Sequence, residues 1–205
     1  MRVTQAVTLL FTLVALAVAG DMALAEDGDT SPFMTIRGKT AQPIGHYNLC
    51  ARDKSECAVR SRGQQRVQLT EERWNTLVDV NRAVNAAVRP VTDQDLFGEP
   101  EVWVYPTDRG DCEDFVLLKR RLLAERGWPL GGLLITVVHQ QNGDGHAVLT
   151  VLTDHGDLVL DNLKPHISTW NDTPYRFLKR QSTYDSGQWV AVEDGRAAMV
   201  GSLSD

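Results

Sequence analysis

The sequence predicts an α+β fold in which helices precede and pack on an antiparallel sheet. Residues 70–88 and 112–126 carry apolar side chains spaced three and four apart, which is typical of helices with one buried face. From residue 133 onwards, short runs rich in Val, Ile and Leu alternate with turns that contain Gly and Asp. Because such short turns join antiparallel neighbours, we expect these strands to form a meander beneath the helices.

The helices have recognisable ends. Thr70 is a good N-cap for the first helix, and Pro90 ends it. The second helix starts after Asp111, and Gly127 follows its last residues. Asp114 stands three residues after Asp111, so the pair resembles a capping box with a shorter acid.

The strands follow in order along the remaining chain. The first is predicted over residues 133–138, the second over 147–152 and the third over 158–160. Gly-containing turns at 140–145 and 154–157 separate them. Residues 175–178 and 188–192 predict one or two further strands before a polar tail.

The first 25 residues have the pattern of an export signal. Arg2 supplies a positive charge, residues 7–19 are largely apolar, and Ala23-Leu24-Ala25 fits a small-x-small cleavage site. The apolar run is too short to span a bilayer comfortably. We therefore expect a signal peptide over 1–25, with an uncleaved anchor as the alternative, then an extended segment over 26–69 and one main domain over 70–205.

The charge pattern argues against two classes of partner. The formal net charge is −6, and the chain contains no block of basic residues. This balance argues against nucleic acid and against an anionic membrane surface. Since no second long apolar segment is present, we expect no membrane insertion once the signal is removed.

The chain has three cysteines, an odd number for an exported protein. Cys50 and Cys57 flank a polar stretch and can close a small disulfide loop in an oxidising compartment. Cys112 is left over, which indicates a reactive thiol or an intermolecular bridge. At the first position of a helix, unpaired N–H groups and the helix dipole lower a thiol pKa, so Cys112 is a candidate nucleophile. The alternative is a small buried apolar residue.

His146 and Asp161 are the candidate base and orienting acid for this thiol. An imidazole activates the sulfur, and a carboxylate fixes its tautomer and balances its charge. A symmetric loop at 154–157 places Thr150 opposite Asp161, so that His146 and Asp161 share a face but lie roughly 13 Å apart. Contact between them then requires a bulge, a shifted register or strong twist.

Four other side chains bear on the site, and three of them allow two interpretations. Asn81 and Asn85 share one face of the first helix, which is either partly solvated or sends an amide to the site. Trp103 is either a core residue or the source of an indole N–H for an oxyanion hole. His46 is expected to be solvated in a polar loop.

Three motifs together resemble one family. They are residues 110–114 (GDCED), residues 145–149 (GHAVL) and residues 158–162 (LVLDN). In this order they resemble the bacterial transglutaminase-like cysteine proteinases, which include the LapG-type periplasmic proteases that release large adhesins from the cell surface. The resemblance covers about residues 70–192 and implies a papain-like, transglutaminase-core fold.

The resemblance also implies specific roles and partners. Cys112, His146 and Asp161 would form the catalytic triad, and Asp111 and Glu113 would bind calcium. The implied substrate is an exported protein such as a large repeat adhesin, cleaved in the periplasm. The implied regulator is an inner-membrane receptor for a cyclic dinucleotide. From the residues alone, the acids beside Cys112 are equally explained as first-turn acids that satisfy the helix dipole.

Two other functions fit the same residues. The triad could transfer an acyl group to an amine, as a transglutaminase does, or hydrolyse a cell-wall peptide. The site could also bind calcium and a partner without performing chemistry. The nucleophile pattern is the same in the first two cases, so the residues favour an enzyme without fixing its acceptor.

Overall fold

The computed structural model describes residues 31–63 and 65–198, and the predicted signal peptide lies outside these ranges. The strands and helices are β1 (Thr35–Thr40), α1 (Ile44–Arg52), α2 (Glu71–Ala87), β2 (Arg89–Pro90), α3 (Asp93–Phe97), β3 (Arg109–Gly110), α4 (Cys112–Glu125), β4 (Leu133–His139), β5 (Gly145–Thr153), β6 (Gly156–Leu160), β7 (Ser168–Thr169), β8 (Arg176–Gln181) and β9 (Trp189–Glu193). None of the helices in these ranges is long and apolar enough to cross a bilayer. The predicted α+β class is confirmed.

Seven strands form one antiparallel sheet in the order β1-β9-β8-β4-β5-β6-β7. Side chains alternate between its faces, as strand geometry requires. Leu149 on β5 packs with Phe115 of α4 in the larger core, which α2 completes. Val148, the next residue along β5, packs with Phe177 in a smaller core. The sheet is therefore buried on both faces where β4 and β5 pass under α4.

The helix starts agree with the sequence in one case and differ in the other. Thr70 caps α2, with its Oγ1 accepting the Arg73 N–H at 3.3 Å. Asp111 is the N-cap residue of α4 but makes no side-chain cap bond. Asp114 is fully buried, and its Oδ1 accepts the Val104 N–H at 2.8 Å. The Asp111 side-chain half of the predicted capping box is therefore wrong. The Asp114 carboxyl does interact with the Asp111 N–H, and it also anchors the loop before α4.

The β5–β6 hairpin is tighter than the symmetric loop predicted from the sequence. Thr153 pairs with Gly156, and Leu149 pairs with Leu160. Gly156 has a φ of 139°, which Gly adopts without a steric penalty. One further step along this ladder places Asp161 opposite Val148. Asp161 is then only two residues from the level of His146, about 7 Å along the strand, so the shifted register removes about half of the predicted gap.

The segment before α2 contains more regular structure than the extended lead-in predicted from the sequence. β1 pairs with β9 at the edge of the sheet, and α1 packs Gly45 closely against Trp103. Cys50 and Cys57 form a disulfide with a Cα–Cα distance of 5.6 Å. The strand pairs with a partner near the other end of the described chain, so its stability depends on a long-range contact rather than on local pattern.

Candidate active site

Cys112 is the first residue of α4 and is partly buried. Its Sγ–H donates to Glu113 Oε2 at 3.1 Å, and the Ala147 backbone N–H points towards the sulfur. Within residues 31–63 and 65–198, no hydrogen bond joins Cys112 to His146. The thiol proton is therefore held by the neighbouring carboxylate.

His146 and Asp161 are joined directly. His146 Nε2 lies 2.9 Å from Asp161 Oδ1, and both side chains are buried. Burial alone would raise the pKa of Asp161, but hydrogen bonds from His146 and Tyr175 hold that pKa below its ordinary value. Because the carboxylate accepts, Nε2 carries the proton and Nδ1 of His146 is left as the acceptor.

Cys112 and His146 line the same two cavities. One cavity of about 570 Å³ also involves Ile44 and Trp103. The other, of about 480 Å³, also involves Leu163. The thiol and the imidazole therefore face a shared, open groove, which is what a nucleophile and its base require around a bound substrate.

Three carboxylates form a cluster beside Cys112. Asp93, Asp111 and Glu113 place oxygens within 4.8 Å of one another. Asp93 Oδ1 and Asp111 Oδ1 are buried without a hydrogen-bond partner among the described residues. Burial and the Asp111 charge raise the pKa of Glu113 well above its ordinary value, and burial also raises the pKa of Asp111. Unpaired carboxylate oxygens of this kind suit a hard cation such as calcium.

Asp93 was not identified from the sequence. It opens α3, far from Asp111 in the chain, and is buried, with its Oδ2 accepting the Val102 N–H. The only local signal was that it follows Thr92, a residue type that caps helices. That pattern predicts a helix start and gives no indication of a shared site.

The predicted effect of the helix start on Cys112 is not what the structure shows. Burial, followed by the charge and hydrogen bond of Glu113, raises the pKa of the thiol well above its ordinary value. A helix dipole favours the thiolate. Two nearby carboxylates and the loss of water outweigh that contribution.

The structure decides between the two interpretations of Asn85 and between those of Trp103. Asn85 Nδ2 donates to the backbone oxygen of Asp161 at 2.8 Å, so an amide from α2 does reach the site. Trp103 is buried, and its indole N–H donates to Glu101 Oε2 at 3.1 Å. The Trp103 indole is therefore a core ring whose N–H is already paired.

Two buried basic side chains, Lys119 and His46, have lowered pKa values. Lys119 of α4 is fully buried, and its Nζ has no hydrogen-bond partner in the part of the chain that is described. Burial lowers its pKa to about 7, against an opposing effect of the Asp161 charge. His46 was expected to be solvated but is buried, with its ring packed against those of Trp103 and Trp189. The Trp189 indole N–H donates to Nδ1 of His46 at 3.1 Å. Burial and Arg120 lower the pKa of His46 to about 4.

Comparison with known proteins gives one family. The model of the bacterial transglutaminase-like cysteine proteinases (BTLCP) matches residues 36–197. Among solved structures, LapG of Legionella pneumophila is 22% identical, covers 77% of this chain and 84% of its own, and superposes with a TM-score of 0.50. At this identity the likeness supports the fold.

Two further LapG structures from the same organism are similar. The calcium-bound form is 25% identical over 52% of this chain and 64% of its own, with a TM-score of 0.46, so the match spans less than two thirds of that protein. The EGTA-treated form is 21% identical over 77% of this chain and 86% of its own, with a TM-score of 0.49. No curated protein sequence matches. The family match spans most of the chain, which therefore belongs to the bacterial transglutaminase-like cysteine proteinases and is a cysteine peptidase.

Proposed function

We propose that the chain is an exported, calcium-dependent cysteine endopeptidase whose triad is Cys112, His146 and Asp161. The observation that carries this proposal is the buried 2.9 Å bond between His146 Nε2 and Asp161 Oδ1, together with the cavities that His146 shares with Cys112. The bond leaves Nδ1 of the imidazole as the one ring atom able to accept a thiol proton.

The chemistry follows from these positions. His146 takes the proton that Cys112 shares with Glu113 in this structure, and the thiolate attacks the substrate carbonyl carbon. The Cys112 N–H, which has no intrahelical acceptor at the first position of α4, would hold the oxyanion with one further donor. His146 then protonates the leaving amine, and water hydrolyses the thioester. Asp161 keeps the ring oriented and balances the charge of the imidazolium.

Asp111 and Glu113, with Asp93 as a third donor, would hold the calcium ion. A bound divalent cation would supply positive charge that offsets the repulsion between these carboxylates and a Cys112 thiolate. The buried, unpaired oxygens of Asp93 and Asp111 support this donor set.

The proposed substrate is an exported protein, such as a large surface adhesin, and the proposed location is the periplasm. An inner-membrane receptor that responds to a cyclic dinucleotide is the proposed regulator. The signal-like pattern over residues 1–25 supports export, and the Cys50–Cys57 disulfide is compatible with an oxidising compartment.

Cleavage of an adhesin fragment by wild type and Cys112→Ala, with calcium or with EGTA, tests the proposal. We expect cleavage by wild type in calcium, a large loss in EGTA and none by Cys112→Ala. Parallel incubations with a labelled amine and with muropeptides test acyl transfer and cell-wall hydrolysis. Wild-type rates from Cys112→Ala would overturn the triad, and turnover of the amine or muropeptides alone would overturn the endopeptidase.

A further inference from the structure

Tyr175 contacts both His146 and Asp161 from the loop before β8. Its side chain is buried, with 5% of its surface exposed. The hydroxyl donates to Asp161 Oδ2 at 2.5 Å. The ring packs against that of His146 with centroids 5.5 Å apart and planes inclined by 57°. One side chain therefore restrains the carboxylate and the imidazole together.

The Asp161 carboxylate is held from both of its oxygens. Oδ1 accepts from His146 Nε2 and from the Leu163 N–H, each at 2.9 Å. Oδ2 accepts from Tyr175. With donors on both oxygens the carboxylate has one favourable rotamer, and in that rotamer Oδ1 faces the imidazole.

The backbone of Tyr175 is itself held by Arg196. Arg196 Nη2 donates to the Tyr175 carbonyl at 2.8 Å, and Nη1 donates to the Thr173 carbonyl at 2.8 Å. Asp194 accepts from Arg196 Nε and Nη2, each at 2.9 Å, and also accepts the Phe177 N–H. The planar Arg196 guanidinium therefore links Asp194, which follows β9, to the loop that carries Tyr175.

We propose that Tyr175 is a positioning residue of the peptidase reaction, with its hydroxyl fixing Asp161 and its ring fixing His146, and that Arg196 holds Tyr175 in place. This inference rests on the triad proposed above. Without the hydroxyl, Oδ2 of Asp161 is buried without that donor, and the carboxylate is held less firmly towards His146, through the donors to Oδ1.

Other ionisable groups also face Asp161. Lys119 approaches it from α4. Lys164, His166 and Asp172 line the cavity of about 180 Å³ that Asp161 shares with Tyr175. These groups are identical in wild type and in a Tyr175 variant. A difference between the two pH profiles therefore reports the hydroxyl.

Tyr175→Phe removes the hydroxyl and keeps the ring, and Tyr184→Phe is the matched control because Tyr184 is half-exposed in the loop before β9. With the adhesin fragment as substrate, we expect Tyr175→Phe to lower kcat about 10- to 100-fold with KM unchanged, the range for losing a hydrogen bond to a charged group. The acid limb of the kcat/KM profile should move to higher pH, because a donor that favours the Asp161 carboxylate is gone. Arg196→Lys should shift the same limb in the same direction.

The nitrogen-15 NMR spectrum of histidine-labelled protein gives a second readout that needs no substrate. We expect the Nε2–H tautomer of His146 in wild type and in Tyr184→Phe, and a measurable Nδ1–H fraction in Tyr175→Phe. Thermal unfolding verifies that each variant is folded. Activity in Cys112→Ala would overturn the proposed function. The His146 tautomer in Tyr175→Phe would still show whether Tyr175 positions the imidazole, because that measurement does not depend on activity. A Tyr175→Phe protein with wild-type kcat, pH profile and tautomer would overturn the inference.

Discussion

At the scale of single residues, the identities in the candidate site could be predicted from the sequence, whereas their contacts could not. Cys112, His146 and Asp161 stand in recognisable motifs. The distance between His146 and Asp161 depends on a two-residue turn that ends at Gly156, and a symmetric loop was equally compatible with those residues. A register change of this kind alters which residues are neighbours without any change in the local pattern.

Replacing Asp161 by Asn tests its orienting role. The side-chain amide can present an N–H to His146 Nε2, which favours the other imidazole tautomer. We expect kcat/KM for the adhesin fragment to fall at least about 100-fold, while the fold is retained. Asp79→Asn, on the exposed face of α2, is the control and should retain full activity. An Asp161→Asn enzyme with unchanged kinetics would remove Asp161 from the mechanism.

Replacing Lys119 by Met tests the cost of a buried amine. The pKa of Lys119 is lowered from 10.5 to about 7, so the unfolded chain binds more protons than the folded protein between those values. The free energy of unfolding of wild type therefore increases as the pH rises across this window. The Lys119→Met protein lacks this contribution. We expect the variant to be more stable by about 1–4 kcal/mol at pH 6 and by less at pH 9.

Urea denaturation at pH 6, 7.5 and 9 measures this difference. Lys164→Met, in an exposed loop, is the matched control and should change stability by less than about 0.5 kcal/mol. The account of Lys119 is wrong if its replacement destabilises the protein equally at all three pH values.

At the scale of elements, the site is assembled from segments whose meeting cannot be read locally. Asp111 and Glu113 lie on either side of Cys112 at the start of α4, and the short helix α3 brings Asp93 to them. The first two acids adjoin Cys112 in one motif and were predicted as metal ligands. Asp93 joins them only because the loop between α3 and β3 folds back, with Asp93 accepting the Val102 N–H.

A thermal-shift titration with calcium tests whether the three acids act as one site. We expect calcium to raise the Tm of wild type and EGTA to reverse the rise, because a ligand that binds only the folded state stabilises it. Asp93→Asn should show a much smaller rise. Asp95→Asn lies two residues further along α3 and is exposed, so it should respond as wild type does. Equal calcium shifts in both variants would exclude Asp93 from the site.

Opening the Cys50–Cys57 disulfide, which constrains the end of α1, should lower the free energy of unfolding. Cys50 lies on α1, which begins at Ile44 in the wall of the larger of the two cavities beside Cys112. The Cys50→Ser/Cys57→Ser protein should lose about 2 kcal/mol of unfolding free energy, as expected for opening a small loop. Reductant should destabilise wild type by a similar amount and leave the double variant unchanged. A reductant effect that persists in the double variant would place the sensitivity elsewhere.

At the scale of the whole molecule, local periodicity predicted the two long helices and the β4–β5–β6 meander. It did not predict that β8 would pair with β4, or that β1 would close the edge beside β9. Both pairings join residues far apart in sequence, and β1 is mostly exposed. The partner of a strand depends on the whole sheet, so the residues of β1 and β8 carry little signal about which strands they pair with.

The most direct test of the central claim is to trap the covalent intermediate. The adhesin fragment is mixed with wild type in calcium, quenched in acid within the first turnover and analysed by peptide mass spectrometry. The triad predicts a thioester between the amino-terminal product and Cys112, absent from Cys112→Ala. Cleavage by wild type with the acyl group on another residue, or at the same rate by Cys112→Ala, would contradict it.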